Sequence, residues 1–390
     1  MRKSLLAVAA LMGVGALPAN AAMFRVDQET FANFGYQSQI WAQSLGKQTT
    51  AATDKSRVNF SINNAKVYFS GQVNKVVKFH TELDASLGRG RDAVEGRIRI
   101  GDAHIRLDFT PEFGLLAGYQ RLPFSRQTLS SAYAAIIPTG YTYGRVAGGA
   151  LVFESASLGA AGVGGAGSRD AGLAVFSNIA NGMIVFRGGV FDGRYDSRAI
   201  GQNNEALALA MRIQFTPTML GYKGETGYSL SDTYLGRQNV LTFAVGYNTQ
   251  KDKRFASTGN TWKMLTMDAQ WEQKVGNLIP SVQVGMNDLK DYNAKKEDAR
   301  AMWMQGQLLI DQAMGLGKPA LAIGYYMSEQ KPAKGAKPKV NRLAIYFNYY
   351  IKGHDAKIQA GMDSVQRNKA DKGDEGKNFT DYTLALQTRF

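Results

Sequence analysis

Over most of the chain, apolar and polar positions alternate in stretches of about ten residues, separated by clusters of Gly, Asn, Asp and Lys. Leu241, Phe243, Val245 and Tyr247 fall on one phase, and Thr242, Ala244, Gly246 and Asn248 on the other. Leu265, Met267, Ala269 and Trp271 likewise oppose Thr266, Asp268, Gln270 and Glu272. In the last segment Tyr382, Leu384, Leu386 and Phe390 oppose Thr383, Ala385, Gln387 and Arg389. One apolar row and one polar or small row is what a strand needs when lipid lies on one side and water on the other. The pattern predicts sixteen strands. The first eight lie near 31–45, 57–72, 74–84, 95–109, 113–120, 169–178, 182–191 and 204–216. The second eight lie near 238–250, 260–274, 279–288, 299–312, 318–328, 340–352, 355–367 and 378–390.

A soluble β-sandwich also alternates, but several of these stretches run well beyond the roughly 5–6 residues of a globular strand. Trp41, Tyr119, Trp262, Tyr325, Tyr326, Tyr349 and Tyr350 sit near segment ends, where the aromatic girdles of a membrane barrel are expected. The fold expected is therefore all-β, a transmembrane antiparallel β-barrel of about sixteen strands. A barrel with both termini on one side needs an even strand number. A seventeenth stretch at 219–229 would break that parity, so Thr216–Gly236 is read as an unusually long periplasmic turn. Pairing by Ala150–Ser157 would give eighteen strands instead. At either number the barrel is wide enough to leave an aqueous lumen.

Residues 1–21 have a basic start (Arg2, Lys3), an apolar run from Leu5 to Leu17 and Ala19-Asn20-Ala21. This is the layout of an exported chain's signal peptide, too short to cross hydrocarbon as a helix, which leaves 22–390 as the barrel. Its removal takes two cations and no acid, lowering the formal charge from +14 to +12. The chain has no Cys, which excludes disulfides, thiolate metal sites, c-type haem attachment and a thiol nucleophile. Its three His (His80, His104, His354) are too few for a histidine-rich metal site. No ordered Ser/His/acid set stands out on the wall. No catalytic residue, metal or cofactor is expected, and the chain is read as a non-enzyme. Export also separates it from nucleic acid, so the positive balance points elsewhere.

The longest gap between predicted strands is 121–168, opening Arg121-Leu122-Pro123-Phe124-Ser125-Arg126 and turning Gly-rich after Gly159. A loop of this length is usually functional. Folding inward to narrow the lumen is the economical use, and Ala134-Ala135-Ile136-Ile137 suits packing on an inner wall. Alternation places Lys78, Arg106, Arg187, Arg212, Lys357 and Arg389 on the luminal phase, while Arg121, Arg126 and Arg145 belong to the loop. Guanidinium forks suit oxyanions. Arg121, Arg126, Arg145, Arg106, Lys78, Arg187 and Arg212 are thus the candidate pore and anion-binding residues. Each has a plainer use, pairing with an inward carboxylate such as Asp102, Asp108, Asp268 or Glu272. Arg97 and Arg99 fall on the apolar phase of Ala103, Ile105 and Leu107, a conflict that alternation alone leaves open. Outer loops rich in Lys (Lys251, Lys253, Lys290, Lys295, Lys296, Lys334, Lys337) would concentrate anions at the mouth or clamp outer-membrane lipid and lipopolysaccharide.

Several segments resemble the phosphate-selective porin O/P family of outer-membrane porins. These are Ile100-Gly101-Asp102-Ala103-His104-Ile105-Arg106-Leu107, Leu116 to Arg126 with its Pro123-Phe124, Ser168-Arg169-Asp170-Ala171-Gly172, and Gly188 to Gly193. Asn348 to Lys357 and the final Gln387-Thr388-Arg389-Phe390 are similar too. Asp192 stands where the family usually has Asn. Tyr234-Leu235-Gly236 before Asn239-Val240-Leu241 looks more like the branch found with selenite or tellurite reduction operons (ExtI-type). The resemblance implies a sixteen-stranded, often homotrimeric, passive anion-selective channel for small inorganic oxyanions such as phosphate, selenite or tellurite. It would be delivered by the barrel assembly machinery, which the terminal Phe390 suits. The alternative is a barrel scaffold for periplasmic or surface redox proteins of an outer-membrane electron conduit. Such a role needs separate haem carriers.

Overall fold

The computed structural model describes residues 22–47, 55–85, 98–139, 169–193, 207–251, 261–291, 296–332, 335, 337–368 and 378–390. Residues 1–21, Arg97, Arg145, Ala150–Ser157 and the rest of the 121–168 gap beyond Thr139 lie outside them. Among the described residues, seventeen strands form one sheet. They begin with a short β1 (Ala22–Arg25), then β2 (Phe31–Leu45), β3 (Arg57–Gln72), β4 (Val77–Asp84), β5 (Arg99–Asp108) and β6 (Phe113–Arg121). Next come β7 (Arg169–Ile179), β8 (Ile184–Phe191), β9 (Ala208–Phe215), β10 (Val240–Lys251), β11 (Thr261–Glu272) and β12 (Leu278–Lys290). The last five are β13 (Asp298–Ile310), β14 (Lys318–Lys331), β15 (Lys339–Lys352), β16 (Ala356–Arg367) and β17 (Phe379–Arg389).

β2 to β17 are the sixteen predicted strands. Each pairs antiparallel with the next, and β17 returns to β2 from Arg389↔Gln37 to Tyr382↔Ser44, closing the barrel. β1 lies along the remainder of the same edge of β2, with Ala22 opposite Phe34 and Arg25 opposite Phe31. Closure is obligatory, because no water in hydrocarbon can satisfy a free strand edge. Turns at one rim are short and self-capped. The Asn74 side chain accepts from Val76 N and Val77 N (2.9 and 2.8 Å), and Thr110 Oγ1 from Phe113 N (3.1 Å).

Outward rows match the predicted apolar phase: Phe243 and Val245 are 48% and 44% exposed, whereas Thr242 and Asn248 on the inner row are fully buried. A β-bulge interrupts the period just after Arg99. Between Leu83↔Ile100 and Glu82↔Asp102 the register skips Gly101, so the phase inverts. Ile100 then stands outside with Ile105, and Arg99 falls opposite Asp84. A Cβ at Gly101 would lie 2.2 Å from Glu82 Oε1, so a side chain there would displace the end of Glu82.

One expectation is corrected. Trp41, Trp262, Tyr326 and Tyr350 are buried inside the barrel and are not girdle residues. Proximity to a strand end does not choose a face; phase does, and Trp41 shares its phase with Gln43. Thr216–Gly236 is, as expected, a long connection and not a strand. It rises into the lumen, burying Glu225, Tyr228, Leu230, Asp232 and Thr233.

The seam is locked at the C-terminus. Phe390 N donates to Tyr36 O (3.0 Å), Tyr36 N to Phe390 O (3.1 Å) and the Tyr68 hydroxyl to Phe390 O (2.9 Å). The Phe390 ring lies 5.9 Å from that of Tyr36 and 6.3 Å from that of Phe34. Deleting Phe390 removes these contacts where first and last strands meet. The expected outcome is a marked loss of the compact, heat-modifiable species on unheated gels, with unfolded chain accumulating; an unchanged yield would contradict it.

Candidate functional site

Two segments enter the lumen and meet there. The first leaves β6 at Leu122. Pro123 and Phe124 lead into a single helical turn, α1 (Arg126–Leu129), whose Ser125 cap accepts from Thr128 N at 3.2 Å. The Thr128 hydroxyl donates back to Leu122 O (2.8 Å), so the entry is fixed by its own side chains. Phe124 is fully buried, its carbonyl accepting from Thr266 Oγ1 at 2.7 Å. That carbonyl lies directly over Gly246, where a Cβ would sit 1.6 Å from it. The inner wall is therefore cut away for the loop at Gly246, and again at Gly324, where a Cβ would meet Ile137 Cδ1 at 2.5 Å.

The segment then reaches the opposite wall. Lys357 Nζ donates to Ala135 O (2.7 Å), Asn348 Nδ2 to Ile136 O (2.8 Å) and Gln387 Nε2 to Tyr133 O (3.0 Å). Thr139 Oγ1 donates to Asp363 Oδ1 (3.1 Å) and accepts from Arg342 Nη2 (2.7 Å). Leu122, Phe124, Ile136 and Ile137 share a buried cluster with Trp262, Met264, Trp303 and Tyr346 of the wall. Long inward Gln, Asn, Lys and Arg side chains thus satisfy the backbone of a loop that has no sheet to pair with.

The second segment is the β9–β10 connection. Leu230 N donates to Leu129 O at 3.0 Å, and the Tyr228 hydroxyl donates to Arg121 O at 2.7 Å. Asp232 O accepts from Gln283 Nε2 (2.9 Å), Asp232 Oδ2 from Gln305 Nε2 (3.1 Å), and Thr233 O from the His354 ring Nε2–H (2.9 Å).

Arg126 sits where both segments and the wall converge. Its guanidinium pairs with both oxygens of Glu225 and with Gln270 Oε1, and donates to Ser231 O (3.2 Å) and Asp268 Oδ1 (3.4 Å). Arg212 engages both oxygens of Asp268. Arg187, directly opposite Arg212 in register, is held by the carbonyls of Glu225 (2.8 Å) and Gly227. Burial alone would raise the Glu225 carboxyl, but the Arg126 guanidinium holds it below the ordinary range. Asp232 lacks such a partner at bonding distance, and burial pushes it up.

A second cluster lies along β3 to β7: Lys66–Glu82 (2.8 Å), Arg169–Asp102 (2.9 Å), Arg169–Glu82 (3.4 Å) and Arg121–Asp102 (4.0 Å). Arg121 also donates to Leu129 O (3.0 Å) and Ser130 O (2.7 Å). In a third, at the rim of short turns, Lys78 (2.6 Å) and Arg106 (2.5 Å) share Asp108. Their side chains keep 37% and 35% of their surface exposed.

Six of the seven candidate cations therefore line the interior in these three groups; Arg145 is outside the described residues. Asp102, Asp108 and Asp268 are their partners, as the plainer reading had it. Glu272 instead accepts from Tyr234 N (2.9 Å) and Gly236 N (2.9 Å). Sequence reasoning missed Lys66, Arg169 and Arg342, and above all Glu225 and Asp232. The available signal for the last two was length, since 216–239 far exceeds the other turns at that rim.

No protein-family profile matches the chain. An uncharacterized protein of Aquifex aeolicus (strain VF5) is 22% identical over 335 residues, covering 82% of this chain and 73% of that one. Among solved structures, the anion-selective porin from Comamonas acidovorans matches 93% of this chain and 100% of its own at 12% identity, with a TM-score of 0.59. OmpT of Vibrio cholerae in its trimer form matches 93% of this chain and 100% of its own at 11% identity, TM-score 0.56. OprB of Pseudomonas putida matches 92% and 94% at 10% identity, TM-score 0.56. At such identities the likeness is one of fold: the chain has the barrel of Gram-negative outer-membrane porins.

Two variants test the anchoring. Arg126→Ala strands Glu225 in a buried site, leaving Asp268 to Arg212, and should cost about 3–5 kcal/mol, read as a lowered urea midpoint of the folded barrel. Gly246→Val should leave the barrel folded but lift Phe124 from the wall, giving larger or noisier single-channel currents. Wild-type values in both would show that the loop is not held this way.

Proposed function

We propose that the protein is an outer-membrane porin, a passive channel that favours small anions. The barrel and its inward loop support a channel whose bore is narrowed at mid-height. One observation supports the sign of the charge preference: in each group that holds the candidate cations, the positive groups outnumber by one the carboxylates they bond or pair with. Arg126, Arg187 and Arg212 face Glu225 and Asp268; Lys66, Arg121 and Arg169 face Glu82 and Asp102; Lys78 and Arg106 face Asp108 alone. Asp232 is a further carboxylate near the first group, with no cation at ion-pair distance and with burial pushing its carboxyl up. Fixed charge beside a narrow passage sets ion preference through the local potential.

The roles within the channel differ. Arg126, Arg187 and Arg212 are committed to holding the loops, and they act on permeant ions through their field. Lys78 and Arg106 are the candidate cations that water and a passing ion reach directly. Phosphate, selenite or tellurite as the preferred cargo rests on the sequence resemblance, and a homotrimer on that resemblance and on the trimeric OmpT neighbour.

Reversal potentials across a KCl gradient in planar bilayers test the reading. The wild type should favour chloride. Lys78→Gln with Arg106→Gln should bring the chloride-to-potassium permeability ratio toward unity, whereas neutralising Lys251, Lys296 and Lys337 in the outer loops should change it less. A cation preference overturns the proposal. A folded barrel without conductance would favour the scaffold for redox partners.

A further inference from the structure

Away from the three cation groups, a cavity of about 430 Å³ opens at the rim of short turns. Both luminal segments come down to it, between the β13–β14 and β15–β16 turns. Its volume falls in the range of about 300–1,000 Å³ typical of cavities that hold organic ligands. Leu235, Leu309, Leu316 and Ile351 make part of the lining apolar. Tyr133 and Tyr350 each stand edge-on to the His354 ring, with centroids 5.9 Å away and planes at 87°. Leu235 and Gly236 both take left-handed backbone (φ 55° and 74°), which a leucine rarely adopts. Glu272 holds that turn by accepting from Tyr234 N and Gly236 N (both 2.9 Å), which keeps Leu235 in the lining.

The polar part of the lining is lopsided. Arg237, Lys318, Lys352 and Arg389 face Asp355, the one carboxylate among the described lining residues. Lys318 pairs with Asp311 at 2.5 Å, but Arg237, Lys352 and Arg389 form no ion pair among the described residues. Arg389 is fixed by rings instead. Its guanidinium lies 4.2 Å from the Tyr133 centroid, and its Nε–H donates to the Tyr68 hydroxyl at 3.1 Å. His354, in the β15–β16 turn, supplies an acceptor. Its Nε2–H donates to Thr233 O at 2.9 Å. Burial, with Lys357 close by, lowers the imidazole to about 3, so the ring is neutral at neutral pH. Nδ1 is then a lone-pair acceptor, buried and without a partner, in a residue only 6% exposed. A buried acceptor left unmatched costs free energy that a donor on a ligand recovers.

We propose that this cavity binds a small aromatic carboxylate that also carries a hydroxyl, as 4-hydroxybenzoate does. The carboxylate sits among Arg237, Lys352 and Arg389, and the hydroxyl donates to His354 Nδ1. The ring packs against Tyr133, Tyr350 and the leucines. An inorganic oxyanion would use the charge and leave the apolar lining idle. The inference goes beyond the channel reading and does not depend on it, because no residue it uses belongs to the three cation groups.

Isothermal titration calorimetry of the purified, folded barrel tests it, with 4-hydroxybenzoate, benzoate, phenol and inorganic phosphate as probes. The wild type should bind 4-hydroxybenzoate saturably and most tightly, with benzoate about three- to tenfold weaker for want of the donor. His354→Phe should erase that preference. Arg237→Gln with Lys352→Gln should weaken both carboxylates and leave phenol unchanged. Leu316 is 81% exposed, so Leu316→Glu leaves the fold intact and should also weaken the carboxylates alone, which keeps the test open where His354→Phe fails to fold. Absence of saturable 4-hydroxybenzoate binding overturns the proposal, as does equally tight binding of phosphate or phenol, or a preference over benzoate that survives in folded His354→Phe. Reversal potentials are recorded on the same preparations. A chloride-favouring pore that binds no 4-hydroxybenzoate would fail this inference alone, and binding by a barrel that does not conduct would fail the channel reading alone.

Discussion

Everything in this molecule follows from the demand that lipid makes on the backbone. A peptide N–H or C=O in hydrocarbon has no water to turn to, so each strand must be paired on both edges and the sheet must meet itself. The β17–β2 seam is where that demand is met last, and the chain's final residue bonds across it. Closure then creates a second problem. Sixteen strands enclose more space than side chains from the wall alone can fill. What occupies that space decides whether the barrel is a pipe, a filter or a plugged vessel.

The answer here is two irregular segments held by side chains. Loops in water satisfy their backbones with solvent, but a loop lying in a barrel's waist must find donors on the wall. Asn348, Gln359, Lys357 and Gln387 supply them to the carbonyls of Tyr133, Ala135 and Ile136. Arg126 does the reverse, carrying a charge from the loop into carboxylates of the wall and of the second segment. Such a buried pair adds little net stability over an apolar contact, yet loss of either partner is severe. Its use is geometric: it fixes both segments relative to each other and to β11.

The barrel was legible in the sequence because lipid imposes a strict period of two, and parity then excluded a seventeenth wall strand while leaving sixteen or eighteen open. The luminal phase of Lys78, Arg106, Arg187 and Arg212 followed from the same period. What failed were inferences from position along the chain. Trp41 and Trp262 lie near strand ends, but their phase puts them inside. The Gly101 bulge inverts the phase of Arg99, and one inserted residue leaves no periodic trace in so short a strand. Glu225 and Asp232 lie in a stretch with no period at all, so only its excessive length marked it. The outward row of Met267, Met286, Met302 and Met327 was invisible for another reason: its members come from four strands, and only register aligns them.

This arrangement separates two tasks that a bare ring of arginines would combine. A guanidinium that is free to bind a passing oxyanion bidentately also holds it, and conduction needs an ion that leaves as readily as it enters. Arg126, Arg187 and Arg212 turn their terminal donors to Glu225, Asp268 and backbone carbonyls, and the Nε–H groups of Arg187 and Arg212 are left buried without a partner. They keep their charge while the donors they have left are shut away from a passing ion. On the proposed reading, the attraction at the waist would be a field from a small surplus of fixed charge, with direct contact left to the half-exposed Lys78 and Arg106. Such a waist would discriminate by size and sign more than by the identity of the oxyanion, because recognising one oxyanion over another requires donors left unspent.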